Sequence, residues 1–303
     1  MNVQPSPVNQ ELELLTVKHH IKKERRELLF RRFFSNKLAL TGCIIISFIL
    51  LFTLVGPLLT SHDPYELDAK KRLIAPGAEY LFGTDNYGRD LLSRVVHGAK
   101  VSIGVGFSVA LITSIFGMMI GLYAAYFRSL DNILMRVCDG LMAFPAILLA
   151  IAIMAALGPR VENVIIALSI VFTPYVARTV RSAALVIKEQ TYIEALRSQG
   201  ASSLRIIWSN IAPNVISPLV VQATFIFADS IITEAALSFL GAGIPAPAPS
   251  WGNLLYDGKM VIFNAWWMTV FPGVAIMLTV LGLNLFGDGL RDLLDPHNNK
   301  AKK

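Results

Sequence analysis

The sequence predicts an all-α integral membrane protein with six membrane-spanning helices. Three observations predict it. The chain has 303 residues, 54% of them hydrophobic and only 16% charged, whereas soluble domains carry about 25% charge. Several apolar runs reach the length of about 18 residues that reads as a membrane-crossing helix. The Lys and Arg residues lie in the polar segments between those runs, without an aromatic-interleaved patch. The net charge of +6 therefore reads as a positive-inside bias rather than as a nucleic-acid surface.

The six spans fall at about 38–60, 101–126, 134–157, 163–186, 215–240 and 266–287. The first 37 residues form a cytoplasmic tail whose basic part, "KKERRELLFRR", precedes the first span. Phe30, Phe33 and Phe34 are suited to the headgroup region beside these cations. The run that follows is too long for a signal-peptide core and no A-x-A site follows it, so no cleavable signal is expected. Both termini are then cytoplasmic, the last tail being residues 291–303. The proposed inside segments, with the inner ends of the adjoining spans, hold 19 Lys and Arg and the outside segments 8, 6 of them in the first outside loop, residues 61–100. Residues 38–100 form an entry unit of first span, outside loop and surface helix. Residues 101–290 form a five-helix core.

The outside loop begins irregularly around Pro64 and Pro76, then turns helical. Leu91, Leu92, Val95, Val96 and Ala99 share an apolar face, with Asp90, Arg94, His97 and Lys100 around the other. This pattern predicts a helix lying on the membrane surface. In the second span, Ser102, Gly106, Ala110 and Ser114 recur every fourth residue, followed by Gly117 and Gly121. Small residues at that spacing let helices approach closely in lipid. Pro57, Pro145, Pro174, Pro218 and Pro272 invite kinks. Asp139 is spaced to pair with Arg136 on the third span. Cys43 and Cys138 lie in apolar runs, without a Cys or His neighbour at ligand spacing, so neither a disulfide nor a metal site is expected.

An ionisable group at mid-bilayer costs about 2.5–3.5 kcal/mol on insertion scales, so it should face protein or water. In the fifth span Gln222, Asp229 and Thr233 fall on one helical stripe and are the candidates for a translocation path. Glu234 lies well round the helix, placed to meet another helix or the outer surface. In the loop that follows, alternating Pro245, Pro247 and Pro249 predict an extended segment. Trp251, Trp266 and Trp267 suit the interfacial belt.

Between the fourth and fifth spans stands a polar stretch, residues 189–214. Thr191 and Glu194 form a T-x-x-E capping box for a short helix starting near Tyr192. Gly200 ends it, and Ser202 or Ser203 caps a second. Leu204, Ile207, Trp208 and Ile211 give that second helix an apolar face, and Pro213 closes or kinks it. The stretch reads as two short helices on the cytoplasmic side with a small-residue elbow suited to a groove on another protein.

The segment "YIEALRSQGASSLRIIWSNIAPN" resembles the EAA-G signature of permease subunits from binding-protein-dependent ABC importers. "GTDNYGRDLLSRVVHGAKVSI", "ALSFLGAGIPAPAPSWGNLL" and "FPGVAIMLTVLGLNLFGDGLRDLLDP" are similar to the dipeptide, oligopeptide and nickel subfamily, in its C-type component. The similarity runs from about Phe30 to Pro296. The third signature position is Leu196 where the family has Ala, a departure that bears on the fit of the elbow. The resemblance implies a type I ABC importer (MetI-like) permease fold in a bacterial inner membrane. It also implies an ATPase-coupling element comprising Glu194, Ala195, Leu196, Gly200, Ala201, Ser202 and Leu204. The implied partners are a paralogous B-type permease, two cytoplasmic ATP-binding subunits and an extracytoplasmic solute-binding protein. The chain contains no G-x-x-x-x-G-K-[ST], H-E-x-x-H or G-x-S-x-G, so a non-catalytic permease without a cofactor is expected. The implied cargo is di- or oligopeptides. The alternatives are nickel, a metal–chelator complex or glutathione, and, from the residues alone, an ion-coupled secondary transporter.

Overall fold

A computed structural model describes residues 31, 33–60 and 62–294. The basic tail up to Phe30 and the C-terminal residues beyond Leu294 lie outside the described residues. Among the described residues the fold is helical, with a single isolated bridge between Thr84 and Asp90.

Helix α1 spans Lys37–Leu59, and Asn36 caps it by accepting from the Leu38 and Ala39 amides at 2.9 and 3.1 Å. A loop with one 3₁₀ turn at Ala69–Lys71 follows. Helix α2, Leu91–Tyr126, is 36 residues long, roughly 54 Å, well beyond the ~30 Å apolar core of a bilayer. The expected surface helix and second span are therefore one rod, and the boundary drawn at 100/101 falls inside it. Asp90 caps it, accepting from Ser93 N at 2.7 Å. The first part of its polar face, Asp90 and Arg94, is covered rather than solvated. Arg94 is 1% exposed; it donates to Pro64 O at 3.1 Å and lies 3.4 Å from the Asp85 carboxylate. Asp85 also pairs with Arg89 at 2.6 Å, and Arg89 reaches Asp257 at 3.7 Å. Burial pushes the Asp257 carboxyl up, while Arg94 and Arg89 pull it back. The outside loop is thus folded down onto the helix.

The expected third span is broken. Helix α3, Arg128–Met142, and helix α4, Ala146–Leu157, meet at 92°. Pro145 keeps Phe144 out of helical geometry and stands at the start of α4. Five helices are long and apolar enough to cross a membrane, and the bent pair makes a sixth if it counts as one span. The polar side of α3 turns toward helix α5, Val161–Lys188. Arg181 grips Asp131 through two bonds of 2.5 and 2.6 Å, and Arg178 pairs with Asp139. Spacing within one helix points to Arg136 as the partner of Asp139; a neighbouring helix supplies the cation instead.

Helix α6 is Thr191–Ser198. Helix α7 runs Ser203–Phe239, so the second short helix and the fifth span are continuous. Pro213 does not stop it, because a wide π-type turn at Ile206–Ile211 precedes the proline. There the Ala212 amide bonds Ile207 O, five residues back. The segment at Pro245, Pro247 and Pro249 is a series of turns and bends rather than an extended rod. Helix α8, Trp251–Lys259, and helix α9, Trp267–Leu294, complete the chain.

Two apolar cores hold the helices. One joins α2, α4, α5, α6 and α7 around Val105, Leu168, Phe172, Ile193, Ile206 and Ile211. The other joins α1, α7, α8, α9 and the first turns of α2 around Leu91, Val95, Ile231, Trp251 and Met268. The small residues of α2 serve two partners. A β-carbon at Gly106 would stand 2.8 Å from Ile231 on α7, and one at Gly117 would stand 2.6 Å from Val176 on α5.

Two of the three tryptophans expected in the interfacial belt are internal. Trp251 donates to Val95 O at 3.0 Å and Trp267 to Thr84 O at 3.1 Å; only Trp266 is exposed. Each indole satisfies a loop or helix carbonyl while its ring fills the second core. Glu234 is fully buried, accepting from Ser102 at 3.0 Å and Ser238 at 2.8 Å. It ties α7 to α2, as one of the two expectations for it required. Cys138 is buried and Cys43 half-buried.

Candidate functional site

The elbow after α5 is built from a short amphipathic helix and a glycine. Gln190, not Thr191, precedes the first turn of α6, and no side chain caps it. The expected capping box is absent because Thr191 is already helical. The other end matches the sequence closely. Gly200 takes φ +80°, a conformation that an L-residue with a side chain adopts only with strain. The Gly200 amide bonds Arg197 O and the Ala201 amide bonds Leu196 O, both at 3.0 Å. This pair of bonds is a Schellman motif, and the apolar contact that accompanies it falls to Leu196 and Ala201. Both are half-buried against the first core, and Ile193 is fully buried in it. Ser202 then caps α7, accepting from Arg205 N at 3.4 Å.

The outer face of this element consists of the remaining signature residues. Glu194, Ala195, Gly200, Ser202 and Leu204 are exposed, and nothing stands within 4 Å of a β-carbon built on Gly200. Leu204 is 61% exposed and Trp208 41%, whereas Ile206, Ile207 and Ile211 are buried. The expected apolar face therefore splits. The π-type turn adds a residue to the local repeat and shifts the phase, so Leu204 and Trp208 rotate outward and Ile206 inward.

Lys188 and Arg197, which the sequence did not single out, and Trp208, expected on an apolar face, brace the element against the end of α2. Lys188 donates to the carbonyls of Ala125 and Tyr126 at 2.8 and 3.2 Å, occupying the C-terminal pole of that helix. Arg197 lies over the Tyr126 ring, 5.6 Å from its centroid. Trp208 reaches the Tyr123 hydroxyl at 3.4 Å. Lys188 is the one with a sequence signal, a lone cation in the last turn of a long apolar helix.

Above the elbow, a cleft of about 470 Å³ opens between α5, α7 and α9. Its wall carries Thr179, Ser217, Gln222, Phe225 and Arg291. Gln222 accepts from Thr179 at 3.3 Å. Asp229 is exposed two turns further along α7, and Thr233, half-buried, donates its hydroxyl to the Asp229 backbone carbonyl at 2.7 Å. Of the three path candidates, only Gln222 lines the cleft. Among the described residues, no group of three or more His, Cys, Asp or Glu side chains is placed to hold a metal ion.

Residues 117–300 match the profile of the binding-protein-dependent transport system inner membrane component family. Residues 26–76 match the N-terminal membrane domain of oligopeptide transport permease C. The chain belongs to this permease family. A Brucella abortus protein assigned as a peptide transport system permease is 48% identical over 269 residues, 89% of this chain and 91% of that one. The dipeptide transport system permease protein DppC of Alkalihalophilus pseudofirmus is 47% identical over 268 residues, 88% of each chain. The glutathione transport system permease protein GsiD of an Escherichia coli strain is 41% identical over 269 residues, 88% of this chain and 89% of that one. A chain of the MetNI methionine ABC transporter, in an inward-facing conformation, shares the fold. Its TM-score is 0.56 at 20% identity, covering 67% of this chain and 97% of that one. The permease is accordingly a multi-pass inner-membrane subunit of an ABC importer with a MetI-like fold. It works with ATP-hydrolysing and solute-binding partners.

Proposed function

We propose that the permease forms one half of a pathway for di- or oligopeptides, completed by a paralogous B-type permease. Relatives named for peptide and dipeptide transport support the cargo. Both termini face the cytoplasm in this reading, where two ATP-binding subunits receive the elbow at Gly200. The permease carries no catalysis itself; those subunits hydrolyse the ATP. Glu194, Ala195, Gly200, Ser202 and Leu204 form the docking face, and Leu196 and Ala201 support it from behind.

The observation that carries the proposal is the continuity of α7. A single helix, Ser203–Phe239, begins at the elbow and carries Gln222, Asp229 and Thr233. Closure of the ATPases pushes on α6 and the elbow, and α7 transmits the displacement to the cleft wall as a rigid element. ATP changes the population of the two transport states only through the different contacts that the elbow makes in each.

Gly200→Glu tests this. The open space around Gly200 lets the variant insert and fold, while its side chain occupies the docking face and its φ is strained. Peptide uptake and peptide-stimulated ATPase activity are expected to fall to background, with normal amounts of permease in the membrane. Near-normal uptake would refute the docking assignment.

A further inference from the structure

Asp229 differs from Asp131, Asp139 and Glu234. Asp131 and Asp139 are paired with Arg181 and Arg178. Glu234 is buried beneath the hydroxyls of Ser102 and Ser238. Among the described residues, the Asp229 carboxylate has no hydrogen-bond or ion-pair partner, and it is exposed. Asp229 stands ten residues before Phe239, the last residue of α7. That is about 15 Å from the outer end, half the thickness of the apolar core. A charge held there against lipid costs about 2.5–3.5 kcal/mol on insertion scales. A water-filled path and a cationic ligand remove that cost together.

The surroundings point the same way. Asp229 lies one turn beyond Phe225, a residue of the cleft wall, and on the same stripe as Gln222. The cleft below it is lined by neutral hydrogen-bonding groups, Thr179, Ser217 and Gln222, and ends at Arg291. A passing peptide would meet an anion near the bilayer centre, amide-compatible side chains next and a guanidinium at the inner end.

The geometry points to Asp229 as a transit site for an ammonium group, supplied by the peptide α-amine or by a lysyl side chain. This inference rests on the proposed peptide pathway and deepens it.

Two measurements on the complete transporter test it. The first uses proteoliposomes with binding protein and ATP, comparing wild type, Asp229→Asn and Asp229→Glu. With Asp229→Asn, uptake of alanyl-alanine and lysyl-alanine at limiting concentration should fall about tenfold, the worth of one charge-assisted hydrogen bond. Asp229→Glu should restore most of it. An equal fall for both peptides identifies the α-ammonium; a fall for lysyl-alanine alone identifies the side chain. Unchanged uptake of both overturns the inference.

The second measurement is independent of cargo. Thr233→Cys is introduced after Cys43→Ser and Cys138→Ser, and its labelling rate is compared between trimethylammonium-ethyl and sulfonato-ethyl methanethiosulfonate. Asp229 should favour the cationic reagent several-fold beyond the ratio the two reagents show with a small free thiol in solution, and Asp229→Asn should bring the ratio close to that solution value. Failure of both reagents to reach the introduced thiol overturns the inference, as does a ratio indifferent to Asp229. Pairing of Asp229 with a cation of the second permease would give that indifferent ratio. If wild type takes up neither dipeptide, the cargo reading fails, while the labelling ratio still decides whether Asp229 attracts cations in a wet path.

Discussion

At the scale of single residues, the clearest case is Leu196. Sequence alone marks it as a departure from the family signature, with consequences for the elbow. The structure turns its side chain inward, against the first core and beside Ala201. The proposed docking face therefore keeps its composition whatever occupies position 196. Leu196→Ala, which restores the family residue, should leave uptake and ATPase stimulation within about twofold of wild type. It should lower stability by about 1–2 kcal/mol, less than the 2–5 typical of a fully buried Leu→Ala change because Leu196 is only half-buried. Transport assays together with the thermal midpoint of the purified complex check this. A tenfold loss of transport with unchanged stability would place Leu196 on the docking face after all.

At the scale of elements, much was legible because helix signals are local. The long apolar runs, the small-residue spacing of α2, the Gly200 stop and the Ser202 cap all appear where the sequence predicts them. What was not legible depended on neighbours. Arg94 and Trp251 read as surface groups, since nothing in their own helices shows that the outside loop folds over Arg94 or that Trp251 packs against α2. Asp139 finds its partner on α5, thirty-nine residues away. Leu204 and Trp208 fall on the apolar face only at a regular α spacing, and the wide turn at Ile206–Ile211 departs from that spacing. The candidate site divided likewise. The elbow was legible as a local motif, but the cleft was not, since Thr179 and Arg291 come from helices far from Gln222 in sequence. The α2–α5 contact is a further test at this scale. Gly117 faces Val176 and Gly121 faces the Ala177 carbonyl, with a built β-carbon 2.6 Å from each. Association in lipid depends on such close packing rather than on hydrophobic expulsion. Gly117→Leu should force α2 from α5 and destabilise the permease by several kcal/mol, at or above the usual 1–3 for overpacking. Reduced amounts in the membrane and a lower thermal midpoint would show it. Gly104→Leu is the control, because a β-carbon there meets nothing within 4 Å.

At the scale of the whole molecule, the orientation across the membrane ties the pieces together. In the proposed orientation the elbow is inside and the α8–α9 connection outside, although the first outside loop carries more cations than the charge bias alone would allow. The fold explains how that loop tolerates them. Arg89 and Arg94 are buried against Asp85 and Asp257, so they act as internal counter-ions of a folded cap rather than as free charges beside a span. The remaining asymmetry then favours a cytoplasmic elbow. Phe263, 101% exposed on the α8–α9 connection, and Gly200 on the elbow should lie on opposite sides of the bilayer. With Cys43 and Cys138 replaced by Ser, Phe263→Cys in intact spheroplasts should react with a membrane-impermeant maleimide. Gly200→Cys, in permease produced without the ATP-binding subunits that would cover the elbow, should react only after permeabilisation. The reverse pattern would invert the molecule and remove the elbow from the ATPases. Labelling of both from outside would mean that α7, the one long helix between these positions, does not cross the membrane, and the rigid link from elbow to cleft would be lost with it.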